Sequence, residues 1–145
     1  MGLLSRLTGA VSPQKKPTDD VLLIHGMLLM AGADGTIDDA EQSLVCALVN
    51  TLPEFKDKDI DDLIHQGEKI IAKSGSLKDS VKAVGDLSSP KIKQKLYILA
   101  VDIAMSSGDV DEAEDAMLET YQRLLGIDDA FAQKCIEIMS VKYAP

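Results

Sequence analysis

The sequence predicts an all-α fold of about seven helices, arranged as two pseudo-twofold helix–loop–helix units around one core. Three observations carry this. Apolar residues recur at helical spacing from Asp19 nearly to the end of the chain. No segment shows the alternation of β-branched and polar residues that a half-buried strand requires. An eight-residue pattern, Asp34–Glu41, returns as Ser107–Glu114 at an offset of 73.

The elements follow in order. Residues 1–18 are expected to be a flexible basic tail, since Arg6, Lys15 and Lys16 meet no acid there and Pro13 and Pro17 punctuate it. Leu3, Leu4 and Leu7 form a short apolar face in it, too brief for a secretory leader. Residues 19–145 are expected to be one helical domain. Asp19 and Asp20 open the first helix, with Leu23, Met27, Met30 and Ala31 on its apolar face. Gly32 to Thr36 break it. Asp38 starts the second helix, whose face carries Leu44, Val45, Leu48 and Leu52; Pro53 ends it or lies just beyond. Ile60, Leu63, Ile64 and Ile71 mark a third that ends near Gly75. Ser76 caps a short fourth with Leu77, Val81, Val84 and Leu87. Ser89-Pro90 places proline at the first position of the fifth, which carries Leu96, Leu99, Ile103 and Ala104 until Gly108. The sixth starts near Asp111, carries Met117, Leu118, Tyr121 and Leu125, and stops at Gly126; Asp128 caps the last, with Phe131, Cys135, Ile138 and Met139.

Composition narrows the function. The chain has 145 residues with 24 acids against 15 bases, a net charge of −9, which repels phosphate backbones and argues against nucleic-acid binding. Aromatics are 3% and there is no Trp, so stacking platforms for bases are not expected. The longest uncharged stretch, Val21–Ala33, is shorter than the roughly 20 residues a membrane-spanning helix needs. Cys46 and Cys135 stand far apart without a CxxC, which fits small buried hydrophobes in a reducing, cytoplasmic setting. No phosphate cradle, Ser/His/Asp set or Cys/His pair can be assembled, so no enzyme is predicted. His25 and His65 are expected to be core and surface imidazoles. Lys91, Lys93 and Lys95 form a basic strip, and Asp102, inside an apolar helix, needs a partner in the acidic loop or a lysine.

Acids concentrate at the repeat. From Asp102 to Glu119 seven acids occur with no base. Asp38 and Asp111 suit N-caps, with Glu41 and Glu114 three residues on completing capping boxes. Gly35 and Gly108 allow the positive φ of a tight turn. The spacing Asp-Gly-x-Ile-Asp-x-x-Glu also equals the second half of an EF-hand loop, but Met30 and Gly32 stand where its first carboxylates belong, and Ile103 and Met105 do so in the second unit. One loop supplies about three of the six or more oxygens a hard cation takes, so both loops are expected to contribute to any site. The candidate ligands for calcium, magnesium or manganese are Asp34, Asp38, Glu41, Asp109, Asp111 and Glu114. The loops should then lie at one end of the domain, with Ile37 near Val110 and carboxylate pKa values raised by mutual repulsion.

The same residues carry a family resemblance. Ala31–Glu41 resembles the first Ala-Asp-Gly-x-(Ile/Val)-Asp-x-x-Glu signature of the TerB tellurite resistance family. Ala104–Glu114 resembles its second, and Leu118–Ile127 the Leu-rich helix that follows. Ser107 stands where that family usually has Asp. The resemblance covers residues 19 to about 130. It implies a TerB-like, all-helical, pseudo-twofold fold with acidic loops and a non-enzymatic role in tellurite or other chemical stress. It further implies metal binding and partnership with other proteins, membrane-associated complexes among them; homo-oligomer formation stays open.

Overall fold

A computed structural model describes residues 16–145. The expected tail and its Leu3, Leu4 and Leu7 face lie outside the described residues, apart from Lys16, Pro17 and Thr18. Thr18 belongs to the domain, because its side chain caps the first helix by accepting from the Val21 N–H.

Seven α-helices follow: α1 (Asp19–Ala31), α2 (Asp39–Val49), α3 (Ile60–Ser74), α4 (Leu77–Val81), α5 (Pro90–Met105), α6 (Glu112–Leu124) and α7 (Asp129–Lys142). Among the described residues there is no strand. Predicted caps form as read. Asp38, Ser76, Ser89, Asp111 and Asp128 each accept an N–H three residues on, and Pro90 opens α5. Asp59 does the same for α3.

Two boundaries differ from expectation. α2 stops at Val49 rather than continuing through Leu52, and Pro53, lying beyond its end, opens a 3₁₀ turn, Pro53–Phe55, that buries Phe55. The fixed φ of proline suits the first position of such a turn. α4 covers only five residues before the chain tightens into a second 3₁₀ turn, Lys82–Asp86, which buries Val84.

The core is built around α1. Every residue from Val21 to Met30 is buried, so α1 has no polar side and is enclosed by α2, α3, α5 and the Lys82–Asp86 turn. α5 is its counterpart in the second unit, packing on α1, α6 and α7. The crossing of α1 and α5 is close at Gly26, where an added Cβ would meet the Leu96 Cδ atoms at 2.7 Å. The repeat is thus real in three dimensions. α1–α2 and α5–α6 start their second helices at Asp38 and Asp111, after glycines with φ of 107° at Gly35 and 96° at Gly108.

The buried polar residues are accounted for locally. His25 is fully buried, and its Nε2 lies 2.7 Å from the Ser80 carbonyl oxygen. Its Nδ1 is buried without a hydrogen-bond partner, and burial holds its pKa below the ordinary histidine value. His65 is exposed. Asp102 accepts from Lys142 Nζ at 2.7 Å and from the Tyr143 hydroxyl, tying the end of α7 to α5. Of its two expected partners, the lysine is the one used. Cys135 is buried and Cys46 half-buried, and both are free thiols.

Candidate functional site

The acidic loops are built by the ends of α1 and α5. The N–H of Gly32 closes α1 on the carbonyls of Leu28 and Met30, and the Gly35 N–H returns to the Gly32 carbonyl at 2.9 Å. Asp34 holds the turn from within, accepting the Thr36 N–H at 3.1 Å. In the second unit the Gly108 N–H bonds the Met105 carbonyl at 3.0 Å, and Ser107, standing in the Asp34 position, donates instead to the Asp109 carbonyl.

Both loops face one cleft of about 170 Å³. Its acidic walls are Asp34 and Glu41 from the first unit and Asp111 and Glu114 from the second, and its apolar side is formed by Ala31, Leu44 and Ile103. Four of the six predicted ligands therefore meet at one end of the domain. Asp38 and Asp109 do not line the cleft. The Asp38 carboxylate is occupied at 2.7 Å by the Glu41 N–H, and Asp109 is exposed. The cleft also includes Ser106 and Ser107. Sequence reading missed Ser106, whose hydroxyl donates to the Ile103 carbonyl; its only signal was its place between the end of α5 and Gly108.

The two glutamates differ. Glu114 completes a capping box, its Oε1 accepting the Asp111 N–H at 3.2 Å while Asp111 accepts the Glu114 N–H at 2.7 Å. Glu41 has no return bond of full hydrogen-bond geometry, although the Asp38 main chain still acts to lower its pKa, and among the described residues its Oε2 is buried without a hydrogen-bond partner. The expected capping box of the first unit is thus half made. Burial raises the pKa of Glu41, reinforced by the Asp38 and Asp34 charges. Burial also raises that of Glu114, with the Asp111 charge and, from across the cleft, the Asp34 charge adding to it. The direction is the expected one, but burial rather than mutual repulsion is the larger cause.

The acidic walls offer only oxygen donors, the kind a hard divalent cation takes, and one of those carboxylate oxygens, Glu41 Oε2, is buried without a partner among the described residues. The spacing is open: among the described residues no three His, Cys, Asp or Glu side chains converge closely enough to hold a metal. Ile37 folds back over Gly32, where an added Cβ would lie 2.4 Å from its Cγ1. The equivalent position in the second unit is Met105; Ile37 and Val110 are both 39% exposed.

These features define an all-α protein of two repeated helix–loop–helix units whose acidic loops share one cleft. The chain belongs to the TerB family, described as tellurite resistance protein TerB, which it matches over residues 20–135. No curated protein and no solved structure matches it. Among the described residues no helix is long and apolar enough to cross a membrane.

Proposed function

We propose that this chain is a non-enzymatic, tellurite-resistance-like stress protein of the cytoplasm that takes up a divalent cation between its two acidic loops and acts within a protein complex. The observation that carries the proposal is the shared cleft, with the Glu41 Oε2 buried there and unpartnered. A buried carboxylate oxygen with no donor is costly, and a calcium, magnesium or manganese ion would satisfy it. Asp34, Glu41, Asp111 and Glu114 would hold the ion largely through water, because no three of these carboxylates converge closely enough to bind it directly. Bound ion would remove the repulsion that Asp34 exerts on both glutamates. Calorimetry and thermal melting with each ion test this. Binding heat and a raised melting temperature, both reduced in Glu41→Gln, are expected. No heat and no shift with any of the three would overturn the cation claim.

A second reading is supported by the caps. Asp38 and Asp111 already serve helix N-termini, and Glu114 a capping box. On this reading the loops are an interaction surface for a basic partner and hold no metal. Capture of partners from native lysate that Asp34→Asn/Glu41→Gln abolishes, and that chelator leaves unchanged, would favour it over the first.

A further inference from the structure

The side of the domain away from the acidic loops carries an open groove of about 580 Å³ between the first half of α5, the start of α7 and the Pro53–Phe55 turn. Leu52, Ile92, Ile98, Leu99 and Phe131 give it an apolar floor. The floor continues along α7. Ile138 lies two helical turns beyond Phe131 on the same face, and Lys142, one turn further, reaches Asp102 on α5. Ile138 is 64% exposed and Val141 77%. Ile98, Ile138 and Val141 are three of the six large exposed apolar residues among those described, while Ile136, five residues from Phe131, lies on a different face of α7. A stripe of this kind on a soluble surface marks a contact site.

Its charge sets it apart from the rest of an acidic protein. Lys95 and Lys142 are satisfied by Glu54 and Asp102. Lys91, on the groove wall, and Lys134, one turn beyond Phe131, make no ion pair among the described residues. The nearby acids are largely engaged. Asp128 caps α7, Asp129 accepts from Gln122, and Glu137 accepts from Gln133. We propose that this groove docks an amphipathic helix of another protein, one whose apolar stripe is flanked by carboxylates. The apolar residues would seat on Ile98, Phe131 and Ile138, and the carboxylates would meet Lys91 and Lys134. The proposal is independent of the acidic cleft and stands whether or not that cleft binds a cation.

Two synthetic helical peptides test it, identical in a leucine stripe at i, i+3, i+4 and i+7 but flanked by Glu in one and by Lys in the other. Fluorescence anisotropy with the full chain is expected to show the Glu peptide binding about tenfold or more tightly than the Lys peptide, a preference that weakens with salt. Lys91→Glu/Lys134→Glu should invert it, and Ile98→Asp should abolish binding of both while circular dichroism confirms the fold. Failure of both peptides to bind, equal binding of the two, or binding that survives Ile98→Asp would overturn the proposal. Light scattering that shows a dimer broken by Ile98→Asp would assign the groove to a second copy and overturn it as well.

Discussion

The hydroxyl of Tyr121 on α6 donates to the main-chain carbonyl of Gly26 in the middle of α1, 95 residues away. This bond is made in a fully buried setting and joins the second unit to the central helix of the first. Its pseudo-equivalent in the first unit is Leu48, which has no hydroxyl to offer, so the link exists in one direction only. Complete burial raises the Tyr121 pKa far above the ordinary phenol value.

Tyr121→Phe keeps the ring and removes the donor. The expected cost is about 1–2 kcal/mol, the net worth of a buried hydrogen bond, read as a lower urea midpoint with an unchanged slope. Gly26→Ala strikes the same crossing from the other side by driving a methyl into Leu96. Overpacking of this kind costs about 1–3 kcal/mol. An unchanged midpoint in both variants would deny that the α1–α5–α6 junction anchors the fold.

The two loop glutamates are expected to respond oppositely to replacement. Glu114→Ala removes half of a capping box and should cost about 0.5–1 kcal/mol. Glu41→Gln removes a buried, unpartnered and repelled oxygen without breaking a cap, so in chelator its melting temperature should equal or exceed that of the parent. Millimolar calcium, magnesium or manganese should raise the parent's melting temperature and raise that of Glu41→Gln less. Identical behaviour of the two variants would contradict the asymmetry seen in the cleft.

pH dependence follows from the same residues. Glu41 and Glu114 have folded pKa values above their unfolded ones. They bind more protons in the native state, so their contribution is present at low pH and is lost as pH rises through the range just above the ordinary glutamate value. Urea midpoints taken across that range should fall less in Glu41→Gln/Glu114→Gln than in the parent. Equal slopes would place the repulsion elsewhere.

His25 has the opposite sign. Its pKa is lowered by burial, so the unfolded chain binds the proton more readily. Stability should be complete above the ordinary histidine value and be lost as pH falls below it. His25→Gln, which retains a donor for the Ser80 carbonyl, should flatten that acid limb even if it lowers overall stability. An unchanged limb would mean that the imidazole is not the group responsible.

The clasp at the end of α7 gives a local prediction. Lys142→Met leaves Asp102, 5% exposed, with the Tyr143 hydroxyl alone. Loss of one partner of a buried pair can cost about 3–5 kcal/mol, but the half-exposed Lys142 side chain reduces this to about 1–2 kcal/mol. Hydrogen exchange should quicken at the end of α7 first. The hydrogen bond to Asp102 raises the Lys142 pKa, so the parent should lose the same stability only as pH rises past the ordinary lysine range.

Sequence by itself determined the helical class, the repeat and most helix starts, because these depend on short-range chemistry. A side-chain oxygen at Asp38, Ser76, Ser89, Asp111 or Asp128 meets an N–H only three residues away. The six acidic candidates were legible for the same reason, as a spacing repeated 73 residues apart. Which four of them would share a cleft was not legible, because that depends on how α1 crosses α5 and brings two distant loops to one end. Tertiary packing alone decided that α1 would be buried on every side, including His25 and Gly26, where periodicity had marked a single face. It also decided that Ile37 would fill the space over Gly32, and that Asp102 would find Lys142 rather than the loop. Such choices follow from close packing at contacts tens of residues apart, where a missing Cβ or one longer side chain determines which neighbour fits.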